Sequence, residues 1–282
     1  GNDTVNASGM TSAFALTIDG GPGKDTITGG SLADVLIGGD DDDTITGRQG
    51  GDGIFGGNGD DTFVWNPGDG SDILEGQAGT DQLQFNGSNA SENLDVSANG
   101  GRVRLFRDIG NVILDCDDVE LFQVNTFGST DNITINELTS TDVQNVMVDL
   151  AATGGGGDSQ ADIITITGTP NNDTITVTGS PGTLAVVGLS ATVIVTNGEP
   201  ANDSLTLNAL AGLDTVNASG LATGVIKLTL NGGLGDDMLI GSQGADAFTG
   251  GDGNDVIFGG DGDDTLVWNP GDDNDTFEGQ GG

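Results

Sequence analysis

The chain has 282 residues and a formal net charge of −38 at pH 7, from 44 acidic and only 6 basic side chains. Phosphate contacts need a basic face, so nucleic acid is excluded as a partner, and no run of about 18 apolar residues offers a helical membrane span. The acids are 38 Asp against 6 Glu, beside 52 Gly, and both Asp and Gly are turn residues, Asp being a short, hard oxygen ligand as well.

In chain order, residues 1–19 read as β-solenoid rungs. Residues 20–64 then divide into five blocks of nine: GGPGKDTIT, GGSLADVLI, GGDDDDTIT, GRQGGDGIF and GGNGDDTFV. After Trp65-Asn66 two further blocks, PGDGSDILE and GQAGTDQLQ, extend this first array to residue 84. Residues 85–231 keep only a reduced pattern, an Asp followed by alternating apolar residues, at Asp131, Asp162, Asp173, Asp203 and, shortened, Asp214. This middle segment reads as a degenerate solenoid with wider, irregular rungs, β throughout and without a sustained helical period. The quartet Gly154–Gly157 reads as a long turn projecting from one rung, with a linker as the alternative. A second array, 232–282, opens with GGLGDDMLI, GSQGADAFT, GGDGNDVIF and GGDGDDTLV, then Trp268-Asn269 and PGDDNDTFE.

Each block reads as six turn residues and three strand residues. Glycines at places one, two and four permit positive φ and let carbonyl oxygens point to a common centre. Asp at place six adds a carboxylate, and the next three residues form a short strand with its middle side chain inward. Two blocks make a coil of about 18 residues, so each block stacks on the next but one at a strand spacing of about 4.8 Å. About six oxygens around such a gap suit Ca²⁺ better than Mg²⁺, which wants a tight octahedron. Zinc is disfavoured, since the chain has no His and a single Cys.

A self-similar glycine–aspartate repeat of period nine resembles the RTX, or hemolysin-type, calcium-binding repeat, whose motif is GGxGxDx(apolar)x. The resemblance implies an all-β parallel β-solenoid (β-roll) with calcium in its turns. It implies metal ligands at Asp25, Asp34, Asp43, Asp52, Asp61, Asp72 and Asp81 in the first array, and at Asp237, Asp246, Asp255, Asp264 and Asp275 in the second. Glycine carbonyls would complete the sites. Leu32, Asp41, Arg48 and Ser242 stand where the motif has glycine, which implies weaker binding in those turns. The resemblance also implies type I export from a Gram-negative bacterium, and hence an extracellular or cell-surface location.

A longer period overlies the short one. GNDTVNASGM (1–10) returns as GLDTVNASGL (212–221), and FVWNPGDGSDILEGQAG (63–79) as LVWNPGDDNDTFEGQGG (266–282). Residues 1–19 therefore read as the end of a preceding unit and 232–282 as the start of the next, a window on a tandem array. At about 20 residues per coil and about 4.8 Å per coil, the piece would measure roughly 70 Å.

The absence of His and Tyr removes the usual nucleophile–base systems, so the chain is not read as an enzyme. Half of its basic residues, Arg102, Arg104 and Arg107, sit in GRVRLFRD. Alternation puts Arg102 and Arg104 opposite Val103 and Leu105, as local ion pairs or as a docking spot for an acidic neighbour. Cys116 reads as a small buried hydrophobe or an intermolecular bridge, and the two tryptophans as capping or packing groups at the array ends, or as ligand-binding ones. The expectation is a secreted, calcium-dependent structural protein forming a stiff rod in a fibre, surface layer, matrix or adhesin stalk, with self-association. The alternative is the folding and secretion module of a larger exported exoenzyme.

Overall fold

The computed structural model describes residues 1–10 and 14–281. Thr11, Ser12 and Ala13, within the predicted rungs 1–19, and Gly282, the last residue of the second array, lie outside the described residues. Every regular element among the described residues is a β-strand, as the all-β expectation required. The chain divides into two compact units: Gly1–Phe127 with Leu138–Met147, and Gly128–Glu137 with Val148–Gly282.

In the first unit, strands from alternate blocks go to alternate sheets. One sheet stacks Thr4–Asn6, Thr26–Thr28, Thr44–Thr46, Thr62–Trp65, Gln82–Asn86 and Leu121–Phe127, all parallel. The other stacks Thr17–Pro22, Val35–Asp40, Gly53–Asn58 and Ile73–Ala78, also parallel. The register keeps like over like. Ile27 faces Ile45, Ile45 faces Phe63, and Phe63 faces Leu83. These four are at most 1% exposed. The opposite column is Leu36, Ile54 and Leu74, followed by Cys116, which is 1% exposed. The lone thiol thus fills an inward ladder position as a small apolar side chain.

The rungs widen by a definite device. Asn93–Asn99, Arg102–Arg107 and Val112–Asp117 form an antiparallel meander, and only its last strand pairs in parallel with Ile73–Ala78. Val103 and Leu105 are buried while Arg102 and Arg104 face outward, as alternation predicts. Arg102 pairs with Glu75, Asp115 and Asp117, and Arg104 with Asp95, so these arginines are engaged in local ion pairs. Arg107 shares the inward register of Val103 and Leu105 and is 4% exposed. Its Nε donates to Glu92 Oε1 at 3.0 Å, and its guanidinium lies 5.3 Å from the Trp65 ring centre. Trp65 stacks on Phe85 at 4.7 Å and donates from Nε1 to the Gly70 carbonyl. Removing one partner of a buried ion pair strands the other charge, typically at about 3–5 kcal/mol. Glu92→Ala is therefore expected to lower unfolding free energy by about that amount in denaturant titrations with calcium present. Asp42→Ala, which breaks the surface pair with Lys24, is expected to change it little.

The second unit repeats the plan. Asn132–Ile135, Ile163–Thr167, Ser204–Ala211, Lys227–Leu234, Asp246–Asp252 and Thr265–Val267 stack in parallel. Their inward column runs Ile135, Ile166, Leu207, Leu230, Phe248. The facing sheet holds Thr174–Ser180, Thr215–Leu221, Met238–Ile240, Val256–Phe258 and Thr276–Glu278. Here too one rung carries a meander, Thr174–Ser180 with Thr183–Val187 and Thr192–Thr196. The strand Asn145–Ala152 lies across the division between the units. Gly154–Gly157 is an exposed turn, closed by the Ala152 amide donating to the Gly156 carbonyl. Trp268, unlike Trp65, is 55% exposed.

Candidate metal centre

The place-six aspartates line up because the coil is 18 residues long. The Asp25 amide donates to Asp43 Oδ1 at 2.7 Å, 18 residues on, and the Asp43 amide donates to Asp61 Oδ1 at 2.8 Å. Asp61 donates in turn to Asp81 Oδ1 at 2.8 Å across a 20-residue coil, the Trp65-Asn66 step having added two residues. Opposite them, Asp34 donates to Asp52 at 2.7 Å and Asp52 to Asp72 at 2.9 Å. In the second unit Asp237 donates to Asp255, Asp255 to Asp275, and Asp246 to Asp264. All twelve predicted positions thus belong to ladders. Ten of them are buried, at 4% exposure or less, while Asp264 and Asp275 are half-buried.

In most rungs the ladder uses one carboxylate oxygen and leaves the second, but Asp34 and Asp246 spend their Oδ2 on their own turns, accepting from the Gly30 amide at 2.7 Å and from the Ser242 amide at 2.5 Å. Oδ2 of Asp25, Asp43, Asp52, Asp61, Asp81, Asp237, Asp255 and Asp264 is buried and accepts no hydrogen bond. It points back to the first glycine of its own block. A methyl group built on Gly47 would come within 2.5 Å of Asp52 Oδ2. One on Gly56 would meet the Gly76 carbonyl at 2.9 Å and lie closer still to Asp61 Oδ2. A carboxylate oxygen and a carbonyl oxygen from the next coil therefore border one space, and only glycine leaves it open. Place one is glycine for room, whereas places two and four take the left-handed backbone in most blocks, as at Gly57 (φ 120°) and Gly59 (φ 134°), but not in 29–37 or 241–249. Asp41 (φ 73°) and Arg48 (φ 69°) keep that conformation without being glycine. Gly56→Ala is expected to raise the calcium concentration needed for folding at least tenfold, measured by circular dichroism titration.

Burying unneutralised carboxylates costs free energy. Burial pushes Asp61, Asp72 and Asp162 up to about 7, and Asp52, Asp81, Asp237, Asp246 and Asp255 up to about 6, from an ordinary 3.8. The ladder amides oppose the rise and neighbouring carboxylates add to it. The donor set, carboxylate and carbonyl oxygens without nitrogen or sulfur, fits a hard divalent cation, which would supply the missing charge.

The ladders extend beyond the blocks. Asp131 donates to Asp162 Oδ1 at 2.8 Å, and Asp162 to Asp203 Oδ1 at 3.0 Å, 41 residues on. Asp173 donates to Asp214, also 41 residues on, and Asp214 to Asp237, which joins the middle segment to the second array. A methyl on Gly168 would meet Asp173 Oδ2 at 2.7 Å and the Ala209 carbonyl at 2.9 Å, the same cradle as in the blocks. Sequence reasoning missed that Glu120 continues the first ladder, its Oε2 accepting from the Asp81 amide at 2.7 Å. A readable cue existed for the cradles outside the blocks, a glycine five residues before an acid: Gly87 before Glu92, Gly168 before Asp173.

The RTX calcium-binding nonapeptide repeat family matches four stretches of the chain, 17–36, 28–63, 68–89 and 230–266. Every predicted ligand except Asp275 falls inside them. A comparison with curated proteins gives no match. Over the matched stretches the chain carries RTX calcium-binding nonapeptide repeats, and its all-β architecture is that of a β-roll.

Proposed function

We propose that the chain is a secreted structural repeat protein that folds outside the cell when calcium enters its turns, forming part of a stiff extracellular rod. The observation that carries this reading is the row of ladder aspartates Asp25, Asp43, Asp52, Asp61, Asp81, Asp237, Asp255 and Asp264, each with a buried Oδ2 that accepts no hydrogen bond. The ligands are Asp25, Asp34, Asp43, Asp52, Asp61, Asp72, Asp81, Asp237, Asp246, Asp255, Asp264 and Asp275, with glycine carbonyls of the adjoining coil. At the low calcium of a cytosol, a chain of charge −38 repels itself and stays unfolded. Outside, calcium at about 10⁻³ M matches the weak affinity class of extracellular sites. Binding then supplies folding free energy, because the sites do not exist in the unfolded chain.

The family is typical of proteins secreted by Gram-negative bacteria, and its repeats are typically structural. A cell-surface or matrix location, type I export and self-association into fibres or arrays follow as parts of the proposal. Among the described residues no helix is long and apolar enough to cross a membrane. The 200-residue period in the sequence favours the rod over the second reading, a calcium-triggered tail of an exoenzyme. Electron microscopy of the chain in calcium and in EGTA tests the choice. Calcium-dependent filaments support the rod, and monodisperse particles in both conditions refute it.

A further inference from the structure

One buried acid of the turns comes with a cation of its own. Glu92 is 1% exposed and lies five residues after Gly87, the spacing of glycine and aspartate in the blocks. A methyl built on Gly87 would meet Glu92 Oε2 at 2.7 Å and the Asn125 carbonyl oxygen, from the next strand of the sheet, at 2.9 Å. A methyl on Gly56 meets the Gly76 carbonyl at the same 2.9 Å, with Asp61 Oδ2 closer still. The Ser88 amide and hydroxyl donate to Glu92 Oε1 at 3.0 and 2.6 Å, much as the Ser242 amide and hydroxyl donate to the Asp246 carboxylate. The turn around Glu92 is thus a block turn with a longer acid.

The counter-charge is already in place. Arg107 ends the meander strand Arg102–Arg107 and is 4% exposed. Its Nε donates to Glu92 Oε1 at 3.0 Å, and its Nη2 donates to the same oxygen. Nη2 also reaches the Ser88 hydroxyl at 3.3 Å, and Nη1 the Ile109 carbonyl at 3.0 Å. The polar edge of the guanidinium is therefore bordered by carboxylate, hydroxyl and carbonyl oxygens, the donor types that calcium takes. A divalent ion beside a buried guanidinium would meet like charge where screening is weak.

We propose that Arg107 is the resident cation of this turn. It does for Glu92 what an ion does for the aspartates of the blocks, so the coil that follows the first array takes no calcium at this position. The proposal rests on the calcium reading of the repeats. It adds that one cradle is closed to the ion by a side chain of the chain itself. Without the guanidinium, the same oxygens would form a calcium site.

The test compares the full chain with Arg107→Ala and Arg107→Lys. Calcium ions bound per chain are counted by equilibrium dialysis at about 1 mM, and thermal melts are followed from about 1 to about 10 mM calcium. Arg107→Ala is expected to bind one ion more than wild type, and to melt below it by a margin that narrows as calcium rises. Arg107→Lys, which keeps the charge, is expected to bind the wild-type number. An Arg107→Ala count equal to that of wild type overturns the proposal and leaves the repeats standing. So does an Arg107→Ala chain that stays unfolded at every calcium concentration, since the ion then fails to replace the guanidinium. No bound calcium on any of these proteins would overturn the reading of the repeats as well.

Discussion

Without calcium, the chain gains β-structure as the pH falls from about 8 to about 5. The ladder carboxylates carry their ordinary values near 3.8 in the unfolded chain and values of about 6 to 7 in the coil, chiefly because burial disfavours the charged form. A carboxylate raised on folding stabilises the fold when protonated. That stabilisation is complete below the unfolded value and disappears as the pH rises through 6 to 7. With calcium the dependence reverses, because protons and ions compete for the same oxygens. The half-saturating calcium concentration should climb as the pH drops below about 6. Far-UV circular dichroism in EGTA across this range checks the first part. A calcium-free spectrum that is indifferent to pH, or more β-rich at pH 8, would contradict it.

Asp61→Asn should move stability in opposite directions with and without calcium. The amide carbonyl can still accept from the Asp43 amide, now 2.8 Å from Asp61 Oδ1, so the ladder survives. The buried charge is gone, so the calcium-free coil becomes more stable at neutral pH. An ion held between Asp61 and the Gly76 carbonyl, as proposed, would lose its carboxylate, and the calcium midpoint for folding should rise about tenfold, a change of about 1.4 kcal/mol. Thermal melts of variant and wild type in EGTA and in calcium would therefore exchange order. A variant less stable in both conditions would mean that Asp61 serves only as a turn cap.

How much of this was legible follows from what a repeat encodes. The blocks gave fold and ladder together, because a coil of 18 residues puts Asp43 over Asp25 and Ile45 over Ile27. The meanders were hidden. Alternation in 103–107 or 183–187 is the same whether a strand runs parallel or antiparallel to its neighbour. The direction lay in the turns, Gly100 (φ 73°) and Pro181-Gly182 (φ 92°), which are hairpin signals. The reduced motif gave the right aspartates, Asp131, Asp162, Asp173, Asp203 and Asp214, but not their role. A 41-residue step conceals a stacking that an 18-residue step displays. Trp65 and Trp268 share a sequence context and differ in surroundings. Phe85 from the following coil covers the first, whereas the second is 55% exposed. Arg107 was readable as inward from the register of Val103 and Leu105. Its counter-ion Glu92 was not, since fifteen residues and a hairpin separate them.

The central physical claim is that calcium holds the coils together against the repulsion of their own carboxylates. Its most direct test is far-UV circular dichroism with thermal melting of the full chain at about pH 7.5, before and after exhaustive dialysis against EGTA. The expected result is loss of the β-sheet spectrum and of the cooperative melt, with both restored when calcium returns to about 1 mM. A spectrum and melting temperature unchanged by the chelator would contradict the claim.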